Sequence, residues 1–254
     1  MRRARRLPPM ASDEILIQKQ DTVAVVSINR HERRNSLGAE ALDQMDAAFA
    51  ELEKDDAVRV VILTGAGGSA FCAGADLEQG FDASEDSVRD IVVRGQAVFQ
   101  RIENFPKPVI AAVTGYAFGG GFELMLACDI TIAEENVTMG QPEVTRGLIP
   151  GWGGTQKIPR MAGKQRAMEI MLLGARFRAP QALAMGLINQ VAPRGQGLDA
   201  AMDLAKKLAK NPPAPMALIK DAVLRGAQLT LEQGLAVEAD NFAAAFKQSE
   251  WNKS

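Results

Sequence analysis

Apolar positions along the chain follow two alternating rhythms. "EILIQKQ" and "TVAVVSIN" are short runs rich in β-branched residues, separated at Gln20 and Asp21, and they predict two consecutive β-strands. From Leu37 the period lengthens. Leu37, Ala41, Leu42, Met45, Ala48, Phe49 and Leu52 recur at three- and four-residue steps, which predicts an amphipathic helix. "VRVVILTG" reads as a buried strand ending in glycine, and the loop "AGGSAFCAGADLEQG" follows it. A second helix is expected where Val88, Ile91, Val92, Val98, Phe99 and Ile102 share one face. It must stop before Pro106, which lacks the N–H that a helix requires. "PVIAAVTG" is another buried strand, and "DITIAEENVTMG" supplies more. Beyond Gly151 the pattern turns helical almost throughout, from "GTQKIPRMAG" to "TLEQGLAVEADNFAAAFK".

Strands alternating with helices up to Pro150 imply a parallel or mixed sheet with helices packed against it. The remainder reads as a helical addition to the same fold, because no low-complexity linker or internal repeat divides the chain. Composition agrees with a globular protein: 254 residues, 47% hydrophobic and 24% charged. The net charge of -2, with both signs interspersed, gives no nucleic-acid footprint. A single histidine, His31, excludes a His-rich metal site and would force any Ser-His-Asp triad through the charged "RHERRN" turn. Cys72 and Cys128 form no spacing pattern, so a reduced, cytoplasmic compartment is expected. No apolar run reaches the ~18–20 residues that cross a bilayer. "MRRARRLPPM" is rich in arginine but no apolar segment follows it, so it is not a secretory signal; residues 1–12 read as a disordered basic arm, with a short organelle-type leader or a start at Met10 as the alternatives.

Candidate chemistry centres on "AFGGGFELMLACD". Three glycines run into an apolar stretch that carries one acid, Glu123, among Phe122, Leu124, Met125 and Leu126. Glycines let the backbone approach a ligand closely, and a helix starting there leaves its first N–H groups pointing outward. Glu123 follows Gly120 by about one helical turn, so both can face one cavity. "SAFCAGADLE" is a second small-residue turn where backbone N–H groups could converge. "MGQPEVTRG" puts Glu143 after Pro142, a residue that favours helix starts. Each stretch alone is equally well a tight turn or a solvent-facing first-turn acid. Together they suit acid–base chemistry on a polarised carbonyl. A competing motif, "TGAGGSA", fits a dinucleotide fingerprint at Gly65, Gly67 and Ala70 with Glu85 and Asp86 downstream. It follows a third strand, however, and "SAFCAGAD" opens a helix poorly.

The segments "INRHERRNSL", "AFCAGADL", "PVIAAVTGYAFGGGFELMLACD", "GQPEVTRGLIPGWGGTQ" and "AMEIMLLGARFRAPQALAMGLINQV" resemble, in order and spacing, the enoyl-CoA hydratase/isomerase family, also called the crotonase superfamily. The resemblance runs from about Ile15 to Phe246. It implies an α/β fold, a crotonase-like spiral of repeated β-β-α units over 13–195, with a helical C-terminal region over 196–254 for oligomerisation and site closure. It implies an oxyanion hole made by the amides of Ala75 and Gly120. Glu123 would orient and activate water, and Glu143 would exchange the proton at the α-carbon. Having both acids favours an enoyl-CoA hydratase, a hydro-lyase of fatty acid metabolism. The alternatives are an enoyl-CoA isomerase, another crotonase-type acyl-CoA enzyme, or a non-catalytic acyl-CoA-binding homologue. The substrate's coenzyme A is expected near Arg34, Ser36, Ala73, Gly74, Asp76 and Leu77. The resemblance implies no metal or redox cofactor, no nucleic-acid or membrane partner, and a homotrimer or dimer of trimers. Departures from the family pattern are Met139, where phenylalanine is frequent, Trp152, where a small residue is common, and an end at "FKQSEWNKS" without a further helix.

Overall fold

The computed structural model describes residues 13–76 and 84–253. The expected basic arm at 1–12 and the candidate Leu77 lie outside the described residues. β1 (Ile15–Gln20) and β2 (Val23–Ile28) pair antiparallel, and the chain reverses at Asp21, whose φ is 53°. β3 (Val60–Gly65), β4 (Val109–Val113), β6 (Ile130–Glu134) and β9 (Gln190–Ala192) add in parallel, giving one sheet in the order β1-β2-β3-β4-β6-β9. The central strands are apolar at nearly every position because both faces are covered. In β3, Val61 and Leu63 face one core cluster, and Val60 and Ile62 face the other.

α1 (Ala39–Lys54) lies in the first cluster through Ala41, Leu42, Met45, Ala48, Phe49 and Leu52 of the predicted helix, whereas Leu37, expected to open it, precedes it and bridges to Ala75. α2 (Glu85–Glu103) starts at Ser84, whose Oγ accepts from the Ser87 N–H at 3.3 Å. Its predicted apolar face is fully buried only in the C-terminal half. Val98, Phe99 and Ile102 are buried, Ile91 and Val92 are half-buried, and Val88 is exposed.

A second, smaller sheet stands beside the first: β5 (Tyr116–Phe118), β7 (Thr138–Gly140) and β8 (Arg176–Arg178) in the order β5-β7-β8. Single bridges Leu37–Ala75 and Cys72–Ala117 extend this wall towards the N-terminus. β2, β3 and β4 are each followed by a short extended segment that lies against its counterpart from the next turn, which makes the chain a crotonase-like spiral. The helices α3 (Gly120–Met125), α4 (Gly154–Ala162), α5 (Lys164–Leu172) and α6 (Ala179–Ala184) follow in chain order.

The C-terminal third departs from the helical reading at β8 and β9, each too short at three residues to print a period. α7 (Gly197–Leu208) does not stand apart as an appendage. Its Ala201 and Ala205 close the second face of the main sheet against Val25, Ile62 and Ile110. α8 (Pro213–Gly226) and α9 (Leu231–Gln248) pack chiefly on each other. Lys220 ties this hairpin to the body, donating to the Asp129 carboxylate at 2.6 Å and the Lys107 carbonyl at 3.2 Å.

Candidate active site

The glycine run joins β5 to α3, and each glycine is required by a different neighbour. Gly119 adopts φ 56° and ψ -126°, a conformation that disfavours any Cβ, and a methyl group there would lie 2.7 Å from Glu143 Oε1. On Gly120 it would meet the Trp152 ring at 2.4 Å, and on Gly121 the Cys72 carbonyl at 2.1 Å. The absence of side chains brings three other segments onto the start of α3.

One of those segments carries Ala75. A Cβ on Gly120 would be 3.4 Å from the Ala75 nitrogen, and a Cβ on Gly74 would be 3.2 Å from the Gly120 nitrogen. The two amides thus lie close together. Among the described residues neither N–H has a hydrogen-bond acceptor, whereas the amides around them do: Gly119 donates to the Gly140 carbonyl, Asp76 to Leu37, and Ala73 to Arg34. Unpaired donors beside each other can take a developing negative charge on one oxygen.

Glu123, one helical turn beyond, is 1% exposed. Among the described residues no cation pairs with it. Its Oε1 accepts instead from the backbone N–H groups of Trp152 at 2.9 Å and Gly154 at 2.7 Å. Burial pushes its carboxyl up to about 7, and the Glu143 charge adds to the rise while the two N–H donors oppose it. Glu143 opens a 3-10 turn, Glu143–Arg146, with Pro142 just before it. Burial also raises its pKa above the usual carboxylate range, with Arg146 pulling the other way. In the orientation that satisfies both groups, the buried Gln141 amide nitrogen donates to the two Glu143 carboxylate oxygens at 2.9 and 3.0 Å. A methyl on Gly154 would be 3.0 Å from Glu123 Oε1 and 2.3 Å from the Gln141 amide, so the supports of the two acids meet there. A buried and a half-buried carboxylate, both with raised affinity for protons, can pass protons near neutral pH.

The segment proposed to face coenzyme A is zipped to the Ala75 loop. Ala73 N–H donates to the Arg34 carbonyl at 3.1 Å, and Leu37 N–H to the Gly74 carbonyl at 2.8 Å. Arg34 is exposed in a left-handed conformation, φ 55°. Ser36 and Asp76, expected as substrate contacts, turn their side chains to Arg30. This buried guanidinium binds Asp76 Oδ2 at 2.8 Å, Glu14 Oε1 at 3.0 Å, and both the carbonyl and hydroxyl of Ser36. Their part in the geometry is to fix the loop that presents Ala75. Arg30→Met is accordingly expected to cost about 3–5 kcal/mol, because it strips the guanidinium from the buried Asp76 and the half-buried Glu14. Urea unfolding of the variant measures that loss.

Arg30 and Gln141 were not singled out from the sequence. Gln141 had a faint signal, its place two residues before Glu143 in "GQPE". Arg30 had none, since its partners are 16 and 46 positions away in the chain. The dinucleotide reading of Gly65, Gly67 and Ala70 is overturned. No helix opens after β3; the chain folds back so closely that a methyl on Gly65 would lie 2.2 Å from the Ala70 carbonyl. A cleft of about 810 Å³ between α1 and α2 is lined by the charges of Asp43, Asp46, Arg94 and Arg101 and lies apart from both acids.

Comparison with known proteins agrees with this architecture. The family model described as enoyl-CoA hydratase/isomerase matches residues 18–254. This chain belongs to the enoyl-CoA hydratase/isomerase family. It is 39% identical over 237 residues to a short-chain-enoyl-CoA hydratase of Clostridium acetobutylicum, covering 93% of this chain and 91% of that one. A crotonyl-CoA hydratase of Syntrophomonas wolfei is 36% identical over the same shares. The crystal structure of an enoyl-CoA hydratase from Bacillus anthracis superposes with a TM-score of 0.89 at 38% identity, covering 93% of this chain and 92% of that one. Family membership accounts for the spiral.

Proposed function

We propose that the protein is an enoyl-CoA hydratase, adding water reversibly across the double bond of a 2-enoyl-CoA thioester. The observation that carries this reading is the meeting of two acceptor-free amides, Ala75 and Gly120, with the buried carboxylate of Glu123 and the half-buried one of Glu143 within one small region. The thioester oxygen lies between the amides. Glu123 takes a proton from water as its oxygen bonds to C3, and the double-bond electrons move onto the thioester as an enolate. Glu143 then delivers a proton to C2, and the carboxylates exchange protons back through solvent. Coenzyme A enters with the substrate along the segment of Arg34, Ala73 and Gly74, and the chemistry calls for no metal or redox cofactor. Purified protein should consume crotonyl-CoA with loss of the conjugated-thioester absorbance; unchanged absorbance would end the proposal.

The active form carries one proton on the carboxylate pair, on Glu143. Because Glu123 has the higher pKa it competes for that proton, and the competent arrangement is the less populated of the two singly protonated ones. Below the raised pKa of Glu143 both acids hold protons and no base remains to accept one from water. Above the value of about 7 at Glu123 both are ionised and none remains for C2. A bell-shaped kcat/KM profile is expected, declining as pH rises through the upper limit, and its two limits belong to the pair. A pH–rate series with crotonyl-CoA checks it.

The same reading takes the chain as a cytoplasmic homotrimer or dimer of trimers in fatty acid metabolism. Among the described residues no helix is long and apolar enough to cross a membrane. The α8–α9 hairpin leaves Ile219, Val223, Leu231 and Phe242 exposed, apolar area that assembly would cover.

A further inference from the structure

Trp152 stands where its backbone and side chain serve different ends. Its N–H donates to Glu123 at 2.9 Å, so its main chain is fixed beside that acid. The indole is 5% exposed and wedged between α2 and α3. Its six-membered ring lies on Gly120, with Cε3 and Cζ3 at 2.4 and 2.5 Å from where a Cβ would be. Its pyrrole edge lies on Gly95 of α2, with Nε1 at 2.2 Å from that residue's Cβ position. Phe99 meets it edge-on, ring centroids 5.3 Å apart. Glycine at both 95 and 120 leaves a slot that the indole fills.

We propose that Trp152 is the end wall of the acyl pocket and restricts the enzyme to short acyl chains. The inference rests on the hydratase reading for the position of the thioester. With its oxygen between Ala75 and Gly120 and its C3 facing Glu123, the acyl tail leaves C3 towards the volume bounded by Gly120, Gly95 and Phe99. The indole already occupies that volume. A tail of a few carbons ends against the ring. A longer one must displace an aromatic side chain packed on two backbones and on Phe99.

The test compares wild type with Trp152→Ala and Trp152→Leu, using both turnover of 2-enoyl-CoAs and calorimetric binding of saturated butyryl-, octanoyl- and dodecanoyl-CoA. Wild-type affinity should stop improving beyond the shortest chain. In Trp152→Ala the ratio of dodecanoyl to butyryl affinity, and the matching ratio of kcat/KM, should rise at least tenfold, since each buried methylene is worth up to about fourfold. Trp152→Leu, which keeps apolar filling against Phe99, should move the same ratios in the same direction by less, so a misfolded alanine variant does not decide the matter. Unchanged ratios in a folded variant with turnover intact would overturn the wall and leave the hydratase reading standing. Shifted binding ratios without turnover of any enoyl-CoA would keep the wall and overturn the hydratase reading. Failure of every protein to bind any of the esters would overturn both.

Discussion

Glu143→Gln and Glu123→Gln are each expected to lower crotonyl-CoA hydration at least a hundredfold while binding of butyryl-CoA changes little. General acid–base steps contribute about 10²–10⁴ each. The substitutions keep the shape of the site. A glutamine carbonyl at 123 can still accept from the Trp152 and Gly154 N–H groups, and one at 143 can still accept from Gln141. What disappears is the capacity to exchange a proton. The two roles separate in deuterated water. Exchange of the C2 hydrogen of butyryl-CoA needs only the amide pair and Glu143, so Glu123→Gln should retain it and Glu143→Gln should lose it. Near wild-type hydration in either variant would remove that residue from the mechanism, and equal exchange in both would cancel the division of labour.

Gly120→Ala is expected to reduce turnover by about 10²–10³, the usual cost of losing one oxyanion donor. The added methyl would sit 2.4 Å from the Trp152 ring and 3.4 Å from the Ala75 nitrogen. The indole is locked by Gly95 and Phe99, so the start of α3 has to move and its N–H moves with it. The loss should fall on kcat, because the donor acts on charge that develops only during the reaction. A rise in KM alone, with kcat preserved, would mean that Gly120 merely shapes the pocket.

Periodicity made the main scaffold legible. The six apolar positions of α1 and the alternation in β3 are buried as their spacing requires. Local signals faded where the structure depends on contacts between turns of the spiral. The three-residue strands β8 and β9 exist because neighbours pair with them, and no period appears in so few residues. α7 has the pattern of a free-standing amphipathic helix, yet it covers the sheet 150 positions away, where Arg59 donates to the Ala209 carbonyl at 2.8 Å. At the site, Glu123 and Glu143 stood out as acids in the wrong surroundings. Their supports did not, because Glu123 is held by main-chain N–H groups that any residue at 152 and 154 would offer. Trp152 was visible only as a departure from the family pattern, and its partner Gly95 as nothing more than a glycine inside a helix.

Coordinates of the complex with butyryl-CoA would bear most directly on the whole account. The thioester oxygen should lie about 2.7–3.1 Å from both the Ala75 and Gly120 nitrogens, with C2 turned to Glu143 and C3 to Glu123. A thioester bound away from either amide, or a carboxylate separated from those carbons by the fold, would contradict it.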